Sequence, residues 1–390
     1  MENEKQAERE ASSKNGFTPV LGLSDAPAEE SVHWGTVFDQ PEPEKLLELT
    51  VIVPARNEED GLRACLESLV SQSEPVFELG RDWELIVVDD QSTDRTAEIA
   101  RSFAGVTVIE ASKLEPGWTG KNNAAWTAAR RAQGRWLLFT DAKTIHEPGN
   151  LHRAMHEAVR HKAGMLSYSP RQIVDGLWQR SVMPLVFCEL ALAYPPAKVS
   201  EPGQRVAAAD GQFLLVEREA YRRIGGHASV AEEMLEGVEL AVLAKRRKVG
   251  LRFRYAGDAV STRMYRSTAA MIAGWTRNLG FLFDNCLALA FWRAIDILLL
   301  VALPVLAVVF WNARIFAHSS EWLIAGWVLA LLWVRTLFRF YRRVAKSNFP
   351  FADCVLAPLG LPLFVVLLCR SWFQHRTGKR VIWKGRSYGA

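Results

Sequence analysis

Between residues 49 and 139 four short apolar runs (49–53, 84–88, 106–109 and 136–139) alternate with stretches whose apolar side chains recur at helical spacing. In 58–70 those side chains are Leu62, Cys65, Leu66 and Leu69, and in 94–103 they are Ala97, Ile99, Ala100 and Phe103. This alternation predicts an α/β domain with a parallel sheet, because a strand rejoins a parallel neighbour only through a crossover, here a helix. Ligands bind such sheets beyond the carboxyl ends of the strands. The polar loop after each run is therefore where chemistry is expected.

The first run enters Pro54-Ala55-Arg56-Asn57-Glu58-Glu59, and the second ends in Asp89-Asp90-Gln91-Ser92-Thr93-Asp94. An adjacent acid pair at a strand end can accept hydrogen bonds from a ribose or a base N–H; the competing reading is that Asp89 and Asp90 only cap and turn the chain. After the third run, Gly120-Lys121 opens a helical pattern, where free N–H groups and an ammonium converge on a place for phosphate. It is not a P-loop, whose glycine spacing is absent. The fourth run delivers Asp141, placed to hold a hard cation between the phosphates of a nucleotide sugar.

Past Arg293 the texture changes. Residues 297–313 are 17 positions without a charge, 322–334 are 13 and 354–369 are 16, against the roughly 20 that a spanning helix needs. Eight of the 14 tryptophans fall between Trp275 and Trp383, flanking these runs as interface-seeking side chains do. Buried helices of a soluble domain are the alternative. Arg335, Arg339, Arg342, Arg343 and Lys346 follow the second run, and Arg376, Lys379, Arg380, Lys384 and Arg386 follow the third. Both clusters belong on the cytoplasmic side, yet one apolar run separates them. Pro358, Gly360 and Pro362 interrupt that run, which suits a re-entrant segment and leaves two or three crossings. A further apolar stretch, 177–194, contains Arg180 and Glu189 and reads equally as an interfacial helix or an ordinary core helix.

Charge and cysteine usage exclude other classes. Residues 1–50 hold 11 acidic and 4 basic side chains in a chain of net charge +4, so an acidic, solvated leader precedes a basic body. The leader has no apolar core of the kind a secretory signal needs. Five scattered cysteines, none spaced Cys-x-x-Cys, rule out a disulfide framework and a thiolate zinc site and point to a reducing compartment. The basic runs Arg222-Arg223 and 245–248 lack interleaved aromatics, so no nucleic-acid partner is expected.

The order of Val-Pro-Ala-Arg-Asn-Glu-Glu (53–59), Val-Asp-Asp-Gln-Ser-Thr-Asp (88–94), Gly-Trp-Thr-Gly-Lys-Asn (117–122) and Phe-Thr-Asp-Ala (139–142) resembles the family 2 glycosyltransferases. Within them it resembles the membrane-bound branch that glycosylates carotenoids and accompanies hopanoid biosynthesis. Asp210-Gly211-Gln212-Phe213, Gly225-Gly226-His227, Arg263-Met264-Tyr265 with Gly274-Trp275, and Trp383-Lys384-Gly385-Arg386 extend the match. The resemblance implies an A-type glycosyltransferase fold, a Rossmann-like nucleotide-binding sheet, over 49–290. The acidic leader would occupy 1–48, a membrane anchor 291–375 and a basic tail 376–390. It implies inverting transfer of a hexose from a nucleotide sugar to a hydroxyl of a membrane lipid, carotenoid or hopanoid-like, by a multi-pass protein of the cell membrane with its catalytic domain in the cytoplasm. The partners so implied are the nucleotide sugar, the lipid acceptor and the bilayer.

Carried over by position, Pro54, Ala55, Asn57 and Glu58 with Asp89 and Asp90 would hold the nucleoside, and Lys121 the phosphates. Asp141 would be the metal carboxylate for Mg²⁺ or Mn²⁺. Gln212 and His227 would lie near the acceptor, and Arg263 and Tyr265 near the diphosphate. Two departures stand out. Lys143 occupies the place of a second aspartate, adding like-charge repulsion beside the cation. Gly237 aligns with the aspartate that serves the family as base, and a glycine accepts no proton. Lys143 with Asp141 would then stabilise the diphosphate without a metal, and Glu236 or Glu233 would take the acceptor proton. The alternative is an impaired protein that binds nucleotide or lipid without turnover.

Overall fold

The computed structural model describes residues 46–72, 74–317, 320–377, 381–383 and 386–388; the acidic leader lies outside them. Strands and helices alternate as β1 (Leu47–Ala55), α1 (Glu59–Val70), β2 (Trp83–Asp89), α2 (Thr96–Arg101), β3 (Val106–Glu110), α3 (Gly120–Ala129) and β4 (Gly134–Thr140). There follow β5 (Thr144–His146), α4 (Asn150–Arg160), β6 (Met165–Ser169), β7 (Arg171–Gln172), α5 (Gly176–Ala193), α6 (Pro196–Ser200) and β8 (Phe213–Glu217). Next come α7 (Arg218–Arg223), α8 (Glu236–Arg246), β9 (Leu251–Tyr255), β10 (Val260–Thr262) and α9 (Thr268–Leu282).

Seven strands form one sheet in the order β3-β2-β1-β4-β8-β6-β9. The β3-β2-β1-β4 half is parallel, as the alternation predicts. The sheet as a whole is mixed, because β8 runs antiparallel between β4 and β6. That reversal has a consequence for the site. Phe213 pairs with Thr140, so the residues just before β8, Asp210 to Gln212, fall at the same edge as Asp141 just after β4.

Both faces of the sheet are covered. Along β1 the side chains of Val51 and Val53 join the core under α1 and α4, while Ile52 joins the opposite core under α3 and α8, the two-residue period of a strand buried on both sides. Ala124, Ala125, Ala128 and Ala129 are buried, and these small side chains let α3 press close to the sheet.

A third core joins the sheet domain to the remaining helices, α10 (Cys286–Ala317), α11 (Ser320–Val344), α12 (Phe351–Val355) and α13 (Ala357–Arg376). It is built from α5, α9, the start of α10, the end of α11, and α13. At its base lies a closed ring of charges. Arg293 donates to Glu189 at 2.6 Å and stands 3.2 Å from Asp296, while Arg343 donates to Asp296 at 2.6 Å and stands 3.6 Å from Glu189. The charge that interrupted the apolar stretch 177–194 is thus neutralised, as is Arg180, 2.5 Å from Asp353. Helix α5 is largely a core helix with an exposed first turn, Leu177 and Trp178.

The three apolar helices differ in how they are clothed. In their most apolar stretches 6% of α10 and 11% of α11 is buried, against 39% of α13. Helix α13 runs unbroken through the three residues expected to interrupt it. Pro358 sits in its first turn, where the missing N–H costs nothing. Gly360 meets the backbone of Ser181 and Val182 in α5, leaving no space for a Cβ. Near its other end Ser371 accepts from Gly280 N at 2.8 Å. Both ends of α13 are therefore held by α5 and α9. A hairpin of β11 (Val381–Trp383) and β12 (Arg386–Tyr388) follows.

Candidate active site

The loops after β1 and β2 are knitted together. Asn57 adopts a left-handed conformation (φ 51°), its Oδ1 accepts from Thr93 N at 2.8 Å and its own N–H donates to Ser92 at 3.1 Å. Glu58 N donates to Thr96 Oγ1 at 2.8 Å, and Ala55 O accepts from Asp90 N at 2.8 Å. Pro54 reaches a small hollow behind Lys121. Asp89 accepts from Ser92 N at 3.1 Å, so the turn-forming reading holds for this residue. Asp90 has a different partner: Arg386 of the terminal hairpin grips its carboxylate through two nitrogens at 2.5 and 3.0 Å and also donates to Gln91 Oε1 at 2.9 Å.

Thr119 caps α3 by accepting from Asn122 N, which presents Lys121 at the helix start. Its Nζ lies 2.9 Å from Asp141 and 2.7 Å from Glu236, the first residue of α8. Burial works against the ammonium, but the two carboxylates outweigh it and hold Lys121 well above the ordinary lysine range. Asp210 stands beside this centre, its Oδ1 accepting from Gln212 N at 3.0 Å. Burial, followed by the charges of Asp141 and Glu236, pushes its carboxyl up to about 7 against the opposing pull of Gln212 N–H and Lys121.

The cation at Asp141 is Lys121; Lys143 lines the same cavity and donates to Met264 O at 3.5 Å. Gly237 also lines the cavity, and a Cβ there would meet Gly211 N at 3.0 Å and Ala209 O at 3.3 Å. Glu236 beside it is the carboxylate that meets Lys121.

A cavity of about 290 Å³ opens over the ionic centre. It is lined by Lys121, Asp141, Lys143, Asp210, Gln212, Glu233 and Glu236, and by Phe187 and Leu190 of α5, Tyr194 just after it, and Trp275 and Leu282 of α9. The wall is tied together by Tyr194, which donates to Leu282 O at 3.0 Å, and by Trp275, whose Nε1 faces Met183 Sδ at 3.2 Å. Tyr265 lines the cavity edge-on to Trp275. His227 does not line it: the ring is 2% exposed, packed on Phe139 and hydrogen-bonded to Tyr221 at 2.7 Å. Burial lowers its pKa to about 3, so it is a neutral core residue. Arg263 also lies apart, 3.6 Å from Asp175 at the start of α5. Arg277, absent from the expected set, lines the cavity and donates to Asn278 at 2.9 Å.

Asp141, the residue that would hold a divalent cation, is engaged by an ammonium, and among the described residues no group of three or more His, Cys, Asp or Glu side chains is arranged to hold a metal ion.

Residues 50–225 match the model of the family described as Glycosyl transferase family 2. The chain is 26% identical over 349 residues to 4,4'-diaponeurosporenoate glycosyltransferase of Staphylococcus aureus, covering 87% of this chain and 88% of the relative. Among solved structures it is similar to the mannosyltransferase PcManGT from Pyrobaculum calidifontis in complex with GDP-Man and Mn²⁺, at 17% identity over 88% of this chain and 92% of that one, with a TM-score of 0.47. It is also similar to S. aureus TarS 1-349 in complex with UDP-GlcNAc, at 16% identity over 88% of this chain and 97% of that one, with a TM-score of 0.40. Residues 50–225 are thus similar to glycosyl transferase family 2, and the chain is similar to 4,4'-diaponeurosporenoate glycosyltransferase along most of its length.

Proposed function

We propose that this protein transfers a hexose from a nucleotide sugar to an apolar, lipid-like acceptor at the membrane surface, as the name of its S. aureus relative suggests for a carotenoid. One observation carries the reading: a single cavity joins the Lys121 centre to an aromatic and aliphatic wall on α5 and α9, the helices on which the apolar α10 and α11 are seated. A water-soluble acceptor needs no such wall, whereas a lipid is delivered from the bilayer along it.

In this mechanism the strand-end loops and Asp90 hold the nucleoside, and Lys121 meets the diphosphate. The ammonium is pre-placed where negative charge grows as the sugar departs. Drawing Lys121 towards the diphosphate loosens its pair with Glu236, which lies 2.7 Å away. Glu236 then takes the proton of the acceptor hydroxyl as the new bond to the sugar forms. The base is thereby uncovered only when donor is bound. No step runs through a metal ion.

The anchor follows from the same packing. From Ile297 to Ala317 α10 has 21 residues, roughly 31 Å of helix, enough for the hydrocarbon core. Helices α10 and α11 cross as a pair and α13 lies along the interface, so the basic residues after α11 and those after α13 share one side with the catalytic domain. By the positive-inside rule that side is the cytoplasm.

The test is release of free nucleoside diphosphate from a panel of UDP- and GDP-sugars, with and without apolar acceptors in detergent. Release that requires an apolar acceptor supports the reading, and Glu236→Gln is expected to cut it by ~10²- to 10⁴-fold. Release that is indifferent to acceptor, or absent throughout, refutes it.

A further inference from the structure

We propose that a groove on the far side of the Tyr255 ring from the active-site cavity receives the apolar tail of the acceptor, and that Tyr255 is the door between the two. The inference rests on the lipid-acceptor reading above and adds a binding site for the part of the acceptor that does not react.

Three observations support it. The first is a shared wall. Tyr255, the last residue of β9, lines the cavity over the Lys121 centre and also lines a separate open groove of about 410 Å³. The partition around it is aromatic on both sides: Phe187 of α5 lines the cavity, Phe349 lines the groove, and their rings pack edge to face at 5.5 Å. An aromatic ring swings aside by a change of rotamer, with no movement of the backbone.

The second observation is where the groove opens. Its outer rim is Asn348, Phe349 and Pro350, the link from α11 to α12, and the next residue, Phe351, is 83% exposed. The groove therefore ends beside the terminus of a helix long and apolar enough to cross a membrane, where a hydrocarbon tail passes into lipid.

The third is the chemistry of the groove. Its one acid, Asp258, is engaged by Arg254 at 2.7 Å. The stem of Arg171 lies along Gly257, where a Cβ would meet Arg171 Cβ at 3.3 Å, and an arginine stem offers apolar surface while its head stays among water or headgroups. With Tyr255, Phe349 and Pro350 this makes a floor on which a hydrocarbon chain can lie. Size supplies the need for it. A cavity of about 290 Å³ is at the small end of ligand pockets, and it must take the transferred sugar as well as the reacting end of the acceptor. A long tail has to leave it.

The experiment measures nucleoside diphosphate release by the full-length protein in detergent with hexanol and with hexadecanol as acceptors, using whichever UDP- or GDP-sugar the wild type accepts. Arg171→Cys, made together with Cys369→Ser to remove the exposed native thiol and capped with a bulky maleimide, fills the groove; Tyr255→Ala removes the door. Capping, compared with the uncapped variant, is expected to lower kcat/KM for hexadecanol tenfold or more and to change that for hexanol less than twofold. Tyr255→Ala is expected to raise the hexadecanol-to-hexanol ratio at least threefold. A ratio that fails to fall on capping, or fails to rise in Tyr255→Ala, overturns the proposal, and equal loss with both acceptors is such a result. If the wild type releases nothing with either alcohol, the lipid-acceptor reading falls and this inference falls with it. If the wild type uses both alcohols and capping leaves their ratio unchanged, only this inference falls.

Discussion

Lys121 Nζ lies 2.9 Å from Asp141 Oδ1, an ammonium standing where a divalent cation would meet the same carboxylate. The pair leads to the first prediction. Chelation with EDTA is expected to change nucleoside diphosphate release by less than about twofold, and Lys121→Ala to lower it by ~10²- to 10³-fold, because the positive charge at the leaving group is the lysine's own. Loss of activity on chelation with recovery in Mn²⁺ would contradict this assignment.

The second prediction concerns pH and stability. The Asp210 carboxyl is pushed up to about 7 in the folded protein from its ordinary value of 3.8. The folded state therefore holds a proton that the unfolded chain has lost between those values, and its contribution to stability is complete below the lower value and gone above the upper one. Asp210→Asn is expected to flatten the fall in melting temperature between pH 5 and pH 8. Parallel curves for the variant and the wild type would show that Asp210 does not titrate there.

The third addresses the charge ring beneath the anchor. Arg293→Met leaves Glu189, 4% exposed, with Arg343 at 3.6 Å as its remaining cation among the described residues, and a buried charge that loses its close partner costs about 3 kcal/mol or more. The double variant Glu189→Leu with Arg293→Met is expected to recover part of that loss, since it buries apolar groups in place of the broken pair. Thermal unfolding of the three proteins in one detergent measures it; additive losses would mean that the two residues do not act as a pair.

The fourth tests the two-crossing arrangement. Ser320→Cys, at the first residue of α11, is expected to react with an impermeant thiol reagent only from the face opposite the sheet domain, and Thr377→Cys only from the sheet-domain face. Labelling of both positions from opposite faces to those stated, or of both from one face, would exclude it.

Much of the sheet could be read from the chain because its logic is local: each of the first four strands and its following helix carry their own period, and each strand end announces itself by a polar motif. What could not be read depends on contacts between distant segments. Asp141 has two lysines near it in sequence terms, and only the approach of α3 to β4 decides that Lys121, rather than Lys143, is its partner. Glu236 and Gly237 are neighbours in the chain and both line the cavity, and only the approach of α8 to α3 decides that Glu236 meets Lys121. The motif Gly225-Gly226-His227 was legible, but its histidine lies inside the core, because an imidazole that packs on Phe139 looks the same in a sequence as one that binds a ligand. Helix α13 was ambiguous for a related reason, since apolar composition alone does not distinguish a helix facing lipid from one facing protein.

The contact between Asp90 and Arg386 joins an early part of the polypeptide to one of its last segments. During translation the sheet leaves the ribosome first, and its partner arrives only after the intervening helices have been made. A chain cut short before the hairpin would contain every strand of the sheet but lack the guanidinium that clasps the loop after β2.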